Sequence, residues 1–376
     1  RNLMLVSGQK IEPHRTLIIF DEIQDCPDVI NSLKYFCENA PKYHIACAGS
    51  LLGITLAKPS SFPVGKVNFL QVNPMTFTEF LLANNDDSLV EFLKTIDSLE
   101  PIPQAFFNKL YEKLKMYYVT GGMPEPVQRW SEYNDVEAME ESLASIITAY
   151  ERDFAKHPNI SEYPKISMIF RSIPSQLSRE NKKFLYKVVK KGARAREYED
   201  ALQWLVDAGI VHKIYRSTAP SLPLIAYDDI SAFKIYLADV GLLRKLCQLS
   251  PRAFGEKNRL FTEFKGALTE NFVLQSLICQ SDLTPRYWSQ NNPSYEVDFL
   301  VQKENDIYPV EVKAESNTRA TSLKKFKELF SDKVKLRIRY SLDNLKLDGD
   351  VLNIPLFMID YTDSLIKLAL NKLGQS

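Results

Sequence analysis

The stretch TLIIFDEIQD, from Thr16 to Asp25, decides the fold of the N-terminal part of the chain. Its four apolar residues, LIIF, run directly into two acids, Asp21 and Glu22. A short continuous apolar run of this kind is typical of a strand buried in a parallel sheet. At the end of such a strand, one acid can hold Mg²⁺ while the other orients an attacking water in phosphoryl transfer. We assign Asp21 to the metal and Glu22 to the water; a strand that ends in solvated acids is the alternative.

The residues after this strand predict an α/β unit. DVINSLKYFCENA (28–40) has the periodicity of an amphipathic helix, and HIACAGS (44–50) predicts a second buried strand. A strand, a helix and a strand in this order indicate a right-handed crossover in a parallel sheet. Gly49 and Ser50 follow the second strand, and we predict that Ser50 senses the γ-phosphate of bound ATP from there.

The composition of the chain excludes several classes of protein. Its 376 residues are 45% apolar and 25% charged, which is ordinary for a soluble globular protein of two or three domains. The formal net charge is zero, so contact with nucleic acid needs a local basic patch. The five cysteines form no CxxC pair, which indicates free thiols in a reducing cytosol and a cytoplasmic protein. No window is apolar enough to span a membrane.

The middle of the chain predicts a helical region followed by a winged helix. The helical pattern of residues 85–175 breaks at TGGMPEPV. SRENKKFLYKVVKK (178–191) and REYEDALQWLVDAGIV (196–211) then predict two helices, and two strands follow them, which is the order of a winged helix. Its basic residues could contact DNA phosphates, although a solvated helix face is the more frequent outcome of such a charge run. They are Lys182, Lys183, Lys187, Lys190, Lys191, Arg194 and Arg196.

A second group of charged residues lies near the C-terminus. EVDFLV places Asp298 in a strand, and YPVEVKA places Glu311 and Lys313 two residues apart in the next strand, on one face. Glu270 lies upstream on a predicted helix, GALTENFVLQSL. An acid followed by acid-x-Lys on paired strands resembles the PD-(D/E)xK nucleases, although the bare spacing is common. The resemblance implies a restriction-endonuclease-like α/β domain.

The metal-dependent chemistry of these nucleases explains why acids and a lysine would occur at these positions. Asp298 and Glu311 would ligate Mg²⁺, a hard cation that prefers oxygen ligands, and Glu270 could complete the metal shell. Lys313 would position or help to deprotonate the attacking water and offset the phosphate charge. Domains of this fold can also keep the acids and serve only to bind, so catalysis and binding are both open.

The chain as a whole resembles a large group of bacterial and archaeal AAA+ ATPases. Residues 17–54, LIIFDEIQD through AGSLLGI, carry the resemblance, and SFPVGKVNFLQVNPMTFTEFL, VTGGMPEPV and YERDF match later segments. In YERDF, Arg152 would serve as an arginine finger or sensor at the γ-phosphate, unless it pairs with Glu151 or Asp153. The resemblance implies four regions: a partial AAA+ core at 1–80, a helical lid at 81–177, a winged helix at 178–250 and a nuclease-like domain at 251–376.

The phosphate loop of that family does not occur among the 376 residues. No G-x-x-x-x-G-K-[ST] is present, and Gly65-Lys66 lacks both the earlier glycine and the following Ser or Thr. That loop supplies the backbone amides that cradle the phosphates and the lysine that neutralises them. We therefore expect an N-terminally truncated ATPase that does not hydrolyse ATP.

Two hypotheses about function follow. In the first, an ATPase that uses ATP and Mg²⁺ controls a nuclease-like domain that acts on or binds nucleic acid. In the second, the protein is an ATP-dependent switch whose winged helix and C-terminal domain bind DNA or a protein partner without cleavage. Neither hypothesis involves a membrane, and an oligomer is compatible with both. Metal-dependent nicking would separate them.

Overall fold

The computed structural model describes residues 2–49, 65–156, 159–254, 259–280, 284–291, 294–314 and 321–374. The chain divides into two compact units. The first comprises residues 1–72 and 202–210, and the second comprises residues 73–201 and 211–376. None of the helices in the described ranges is long and apolar enough to cross a membrane.

In the described residues, a run of consecutive helices lies between β2 and β3, and most of the strands come after it. The helices are α1 (Asn2–Ser7), α2 (Pro27–Asn39), α3 (Phe77–Ala83), α4 (Asp87–Lys94), α5 (Gln104–Thr120), α6 (Pro124–Tyr133), α7 (Val136–Asp153), α8 (Tyr163–Leu177), α9 (Tyr186–Val189), α10 (Ala195–Asp207), α11 (Val240–Leu246), α12 (Arg259–Gln280), α13 (Thr321–Leu329) and α14 (Thr362–Gly374). The strands are β1 (Leu17–Phe20), β2 (His44–Cys47), β3 (Val211–Ser217), β4 (Asp228–Leu237), β5 (Arg286–Asn291), β6 (Ser294–Lys303), β7 (Asp306–Val312), β8 (Arg337–Ser341), β9 (Lys346–Asp348) and β10 (Val351–Pro355).

The first unit contains the predicted strand–helix–strand. β1 and β2 pair in parallel, with Leu17 opposite His44 and Phe20 opposite Cys47, and α2 connects them. Ile30 and Leu33 of α2 are buried together with Ile23. These three residues form a small core against the sheet. The predicted parallel pairing is therefore confirmed.

The second unit is built on a sheet of eight described strands in the order β4-β3-β5-β6-β7-β8-β10-β9. β7, β8 and β10 run parallel to one another, and antiparallel strands flank them. α12 packs against β4 and β7, and α13 packs against β6 and β7. The mixed α/β class is confirmed. β3 pairs with β5, so strands from the segments predicted as a winged helix and as a nuclease-like domain share one sheet. Those two assignments and the four domain boundaries stay predictions.

One predicted helix is wrong. Residues 178–191 form no continuous helix: within them only α9 is helical, over four residues. Phe184 donates its backbone N–H to the carbonyl of Phe233 on β4 at 2.8 Å, and Gln176 exchanges two hydrogen bonds with the backbone of Leu185. These contacts keep Phe184 and Leu185 out of a helix, because an amide bound to a neighbouring strand or side chain cannot also close a helical turn.

The break at TGGMPEPV has a structural cause in Asp239, the N-cap of α11. The buried carboxylate of Asp239 accepts hydrogen bonds from the backbone N–H groups of Gly122 at 2.7 Å and Leu242 at 2.9 Å. Gly121 adopts a left-handed φ of 71°. A Cβ at Gly241 would lie 2.5 Å from the backbone nitrogen of Gly121. The three glycines and Asp239 thus join the helical region to α11 by direct contact.

Candidate functional site

The first candidate site is the acid pair that follows β1. Asp21 and Glu22 are both exposed, and Glu22 has a left-handed backbone with φ 48° and ψ 45°. The Glu22 N–H donates to Asp21 Oδ1 at 3.0 Å. A non-glycine residue in this region carries strain, which is frequent at functional sites. The two carboxylates are therefore presented to solvent at the carboxyl end of a parallel strand, where such sheets bind ligands.

Gln24 supports this acid pair, and the sequence analysis missed it. Its side-chain amide donates to Glu22 Oε2. A Cβ at Gly49 would lie 2.2 Å from Gln24 Oε1, so the glycine after β2 leaves the space that Gln24 occupies. The signal was present in the sequence, because DEIQD sets an amide two residues after Glu22.

The other two residues predicted to contact nucleotide are Ser50 and Arg152. Ser50 lies outside the described residues. Arg152 lies in the last turn of α7, beside a cavity of about 380 Å³ that is lined by Ala144, Ser145, Thr148, Ala149, Arg152 and Asp153. Glu151, one of the alternative partners for Arg152, instead pairs with Arg171 at 2.8 Å. The roles of Ser50 and Arg152 remain predictions.

The second candidate site lies in the second unit and contains all four of the C-terminal residues that the sequence singled out. Asp298 Oδ2 accepts a hydrogen bond from the backbone N–H of Val312 at 2.7 Å, so its carboxylate lies against the end of β7. Glu311 is 4% exposed, and Lys313 Nζ lies 2.9 Å from Glu311 Oε1. Glu270 of α12 is buried and lies close enough to Asp298 to perturb it electrostatically.

Lysine side chains occupy this site together with the acids. Lys182 Nζ forms an ion pair with Glu270 Oε1, and Tyr236 donates its hydroxyl to Glu270 Oε2 at 3.0 Å. Lys234 is fully buried on β4 and forms an ion pair with Glu296 of β6. A buried charge is tolerated when it is paired, so each lysine stabilises the ionised form of its partner.

The pKa shifts follow from burial and from these charges. Burial and the nearby charge of Glu270 raise the pKa of Asp298 to about 7. Burial also favours the neutral form of Glu270, but the charges and hydrogen bonds of Lys182, Lys234 and Tyr236 outweigh it and lower the pKa of Glu270. For Lys234, burial opposes the charged form, yet the surrounding carboxylates raise its pKa. The cluster is thus a strongly coupled set of acids and lysines.

The fit of this site to Mg²⁺ is partial. Its oxygens are of the type that Mg²⁺ prefers, and Glu311 Oε2 is buried without a hydrogen-bond partner among the described residues. In the part of the chain that the structure describes, however, no group of three or more His, Cys, Asp or Glu side chains is arranged to hold a metal ion. One carboxylate oxygen of Glu270 and one of Glu311 already form an ion pair with a lysine. The metal roles of Asp21, Asp298, Glu311 and Glu270, and the catalytic roles of Glu22 and Lys313, stay predictions.

Three members of this cluster were missed or misplaced by the sequence analysis. Lys182 was assigned to a basic surface, but its side chain is 16% exposed and lies on Glu270. Lys234 and Glu296 were given no role. A signal for Lys234 existed, because a single lysine interrupts the apolar strand AFKIYLA, and a lysine inside a buried strand needs a carboxylate partner.

Comparisons with known proteins give a described family for the N-terminal segment and no function for the two regions that follow it. Residues 2–81 match the family model of an AAA domain. Residues 111–253 and 265–357 match two models that are each described as a domain of unknown function, DUF8612 and DUF4143. A search among curated proteins found no match. The segment that carries Asp21 and Glu22 is therefore AAA-like, which supports an ATPase-related function.

Among solved structures, the Walker-type ATPase PABY2304 of Pyrococcus abyssi matches with a TM-score of 0.38 and 14% sequence identity. The match covers 61% of this chain and 63% of that protein. The chain thus spans less than two thirds of that relative, and a TM-score of this size adds nothing to the fold assignment.

Proposed function

We propose that the protein couples an AAA-type nucleotide-binding segment to a nuclease-like unit that contacts nucleic acid. The observation that carries the proposal is the arrangement at the end of β7. There Asp298 lies against Val312, and Glu311, with one unpartnered buried oxygen, lies beside Lys313. A carboxylate pair with an adjacent ammonium group is suited to hold a divalent cation and to polarise water beside a phosphodiester.

In the AAA-like segment, Asp21 would hold the Mg²⁺ of Mg·ATP and Glu22 would orient water. Gln24 would fix Glu22 in its position through their hydrogen bond. The residues present supply the acids of a nucleotide site, and no phosphate-loop motif occurs among the 376 residues. Nucleotide binding here is accordingly proposed without efficient hydrolysis.

Contact with nucleic acid would use the basic residues beside α9. Lys187, Lys190, Lys191, Arg194 and Arg196 are all exposed, and no acid lies between positions 187 and 196. Clustered positive charge of this kind binds phosphates through counterion release, which makes affinity fall steeply with salt. A protein partner at the same surface is also compatible with this charge.

A second candidate function is a switch that binds without cleaving. It is favoured by one observation: Glu270 and Glu296 are each paired with a lysine, which supplies the positive charge that a metal would otherwise supply. In this function the same fold recognises nucleic acid, and ATP binding alters that recognition.

The test compares metal binding and nucleic-acid cleavage in three variants. We expect Asp298→Asn to weaken Mn²⁺ binding about tenfold, because a ligand charge is lost. Lys313→Ala should leave Mn²⁺ binding within about twofold and reduce cleavage of DNA or RNA by about 100-fold or more, since the lysine serves the water and the phosphate. Lys325→Ala, on α13, is the matched surface control. Nucleic-acid binding without cleavage under any divalent metal would establish the second candidate instead.

A further inference from the structure

The ammonium group of Lys182 lies against a buried acid of the second candidate site. Lys182 lies between α8 and α9, and its ammonium group reaches Glu270 Oε1, while Tyr236 binds the other oxygen of the same carboxylate. Both ion-pair partners are largely buried, with 16% of the Lys182 side chain and 7% of the Glu270 side chain exposed. The side chain of Lys182 is thus inserted into the acid cluster, although its sequence neighbours belong to a basic surface segment.

The ammonium group of Lys182 offsets part of the negative charge of the acids around Glu270. Glu270, Glu296 and Asp298 lie close enough to act on one another electrostatically, and Glu311 precedes Val312, whose N–H binds Asp298. Lys182, Lys234 and Lys313 each form an ion pair with one of these acids. Carboxylates crowded in a buried site require a cation, and a divalent ion or an ammonium group can fill that requirement. Lys182 fills it at Glu270, on the carboxylate that the sequence assigned to a metal shell.

The backbone at Lys182 is strained and lies between an exposed turn and two anchored residues. Lys182 has a left-handed φ of 49°, which is strained for a residue with a Cβ. Residues 178–181 before it are exposed and irregular. Beyond it, Phe184 and Leu185 are fixed to β4 and α8 by backbone hydrogen bonds. A rotation at Lys182 and Lys183 would withdraw the ammonium group and keep these anchors. It would break two long hydrogen bonds, from the Lys182 N–H to the Arg179 carbonyl at 3.3 Å and from the Lys183 N–H to Asn181 Oδ1 at 3.3 Å.

We propose that Lys182 is an internal cation that closes the acid site of Glu270, Asp298 and Glu311 to divalent metal, and that the site opens when this side chain withdraws. The inference rests on the proposed metal site and adds its regulation: the irregular segment 178–183 is a latch. With Lys182 in place, a divalent ion at Glu270 meets a positive charge. With Lys182 withdrawn, Glu270 Oε1 becomes available as a ligand, in addition to the Glu311 oxygen that already has no partner.

The experiment measures Mn²⁺ binding to the full 376-residue chain by calorimetric titration. Lys182→Met keeps the apolar stem and removes the charge, and we expect it to raise affinity for one Mn²⁺ by about tenfold or more. Lys182→Gln is expected to do the same and serves if the methionine variant does not fold. Lys182→Arg retains the charge, and Lys324→Met removes an exposed charge from α13. Both variants should bind Mn²⁺ as the unmodified protein does.

A double variant, Lys182→Met with Glu270→Gln, tests whether Glu270 is responsible for the gain in Mn²⁺ affinity. We expect the double variant to bind Mn²⁺ as weakly as the unmodified protein. Equal Mn²⁺ affinity in the unmodified protein and in both neutral variants would overturn the latch. Cleavage assays run in parallel separate this outcome from failure of the proposed function. A gain in Mn²⁺ affinity without cleavage supports the latch and rejects a nuclease, whereas cleavage with unchanged Mn²⁺ affinity rejects the latch and keeps the nuclease.

Discussion

At the scale of single residues, close backbone contact at Gly241 fixes the junction between the helical region and α11. A Cβ there would lie 2.5 Å from the nitrogen of Gly121 and 2.5 Å from the carbonyl oxygen of Thr120, and neither atom can move without shifting the chain. We expect Gly241→Ala to lower the free energy of unfolding by about 2–3 kcal/mol or more, measured by urea denaturation.

Gly266 provides the opposite case for comparison. It lies within α12, and an added Cβ would meet no described atom within 4 Å. Gly266→Ala should therefore raise the free energy of unfolding by about 0.5–1 kcal/mol, because alanine loses less conformational entropy in a helix. Similar effects of the two substitutions would contradict the contact that we assign to Gly241.

A partly buried histidine makes stability depend on pH. Burial lowers the pKa of His212 on β3 to about 4. The unfolded chain, with a histidine pKa near 6.5, takes up a proton between about pH 6.5 and 4 that the folded protein does not. Stability should therefore fall as the pH is lowered through this range, by about 2 kcal/mol at pH 5 from this residue alone.

The check is thermal or urea unfolding at pH 7 and pH 5. His212→Gln should remove most of that difference, whereas His44→Gln, at an exposed histidine on β2, should leave it unchanged. An identical pH dependence in the His212→Gln variant and the original protein would show that His212 protonates freely in the folded state.

At the scale of secondary-structure elements, β1 and β2 differ from the strands of the large sheet. Both have alternately exposed and half-buried residues and none that is fully buried, whereas six of the seven residues of β7 are buried. Amide protons in β1 and β2 should therefore exchange about 100-fold or more faster than those in β6 and β7. Hydrogen exchange followed by mass spectrometry measures this, and equal protection of the two sheets would refute it.

Some secondary-structure elements could be predicted from local sequence patterns and others could not. β1, α2 and β2 were predicted with their parallel pairing, because a continuous apolar run and a 3.6-residue period are local signals. The helix expected over residues 178–191 was not found, because the ion pair of Lys182 with Glu270 and the backbone bond of Phe184 with Phe233 are made with distant residues. Local periodicity cannot register a partner 50 to 90 residues away.

At the scale of the whole molecule, the acids of a nucleotide site are present without a phosphate-loop motif. We expect a polypeptide of these 376 residues to hydrolyse ATP at a negligible rate, because backbone amides and a lysine that cradle phosphates are needed for phosphoryl transfer. A phosphate-release assay measures the rate. Turnover that Glu22→Gln abolishes would disprove this expectation and would place a working phosphate cradle elsewhere in the chain.

The sequence by itself determined the α/β class, the acid pair at the end of β1 and the D…ExK residues at β6 and β7. These depend on residue type and on the two-residue and 3.6-residue periods of strands and helices. Only the tertiary structure decided that Lys182 and Lys234 join Glu270 and Glu296, and that β3 continues the sheet of β5. A buried carboxylate must find a cation, but which lysine supplies it depends on how segments far apart in sequence meet in the fold.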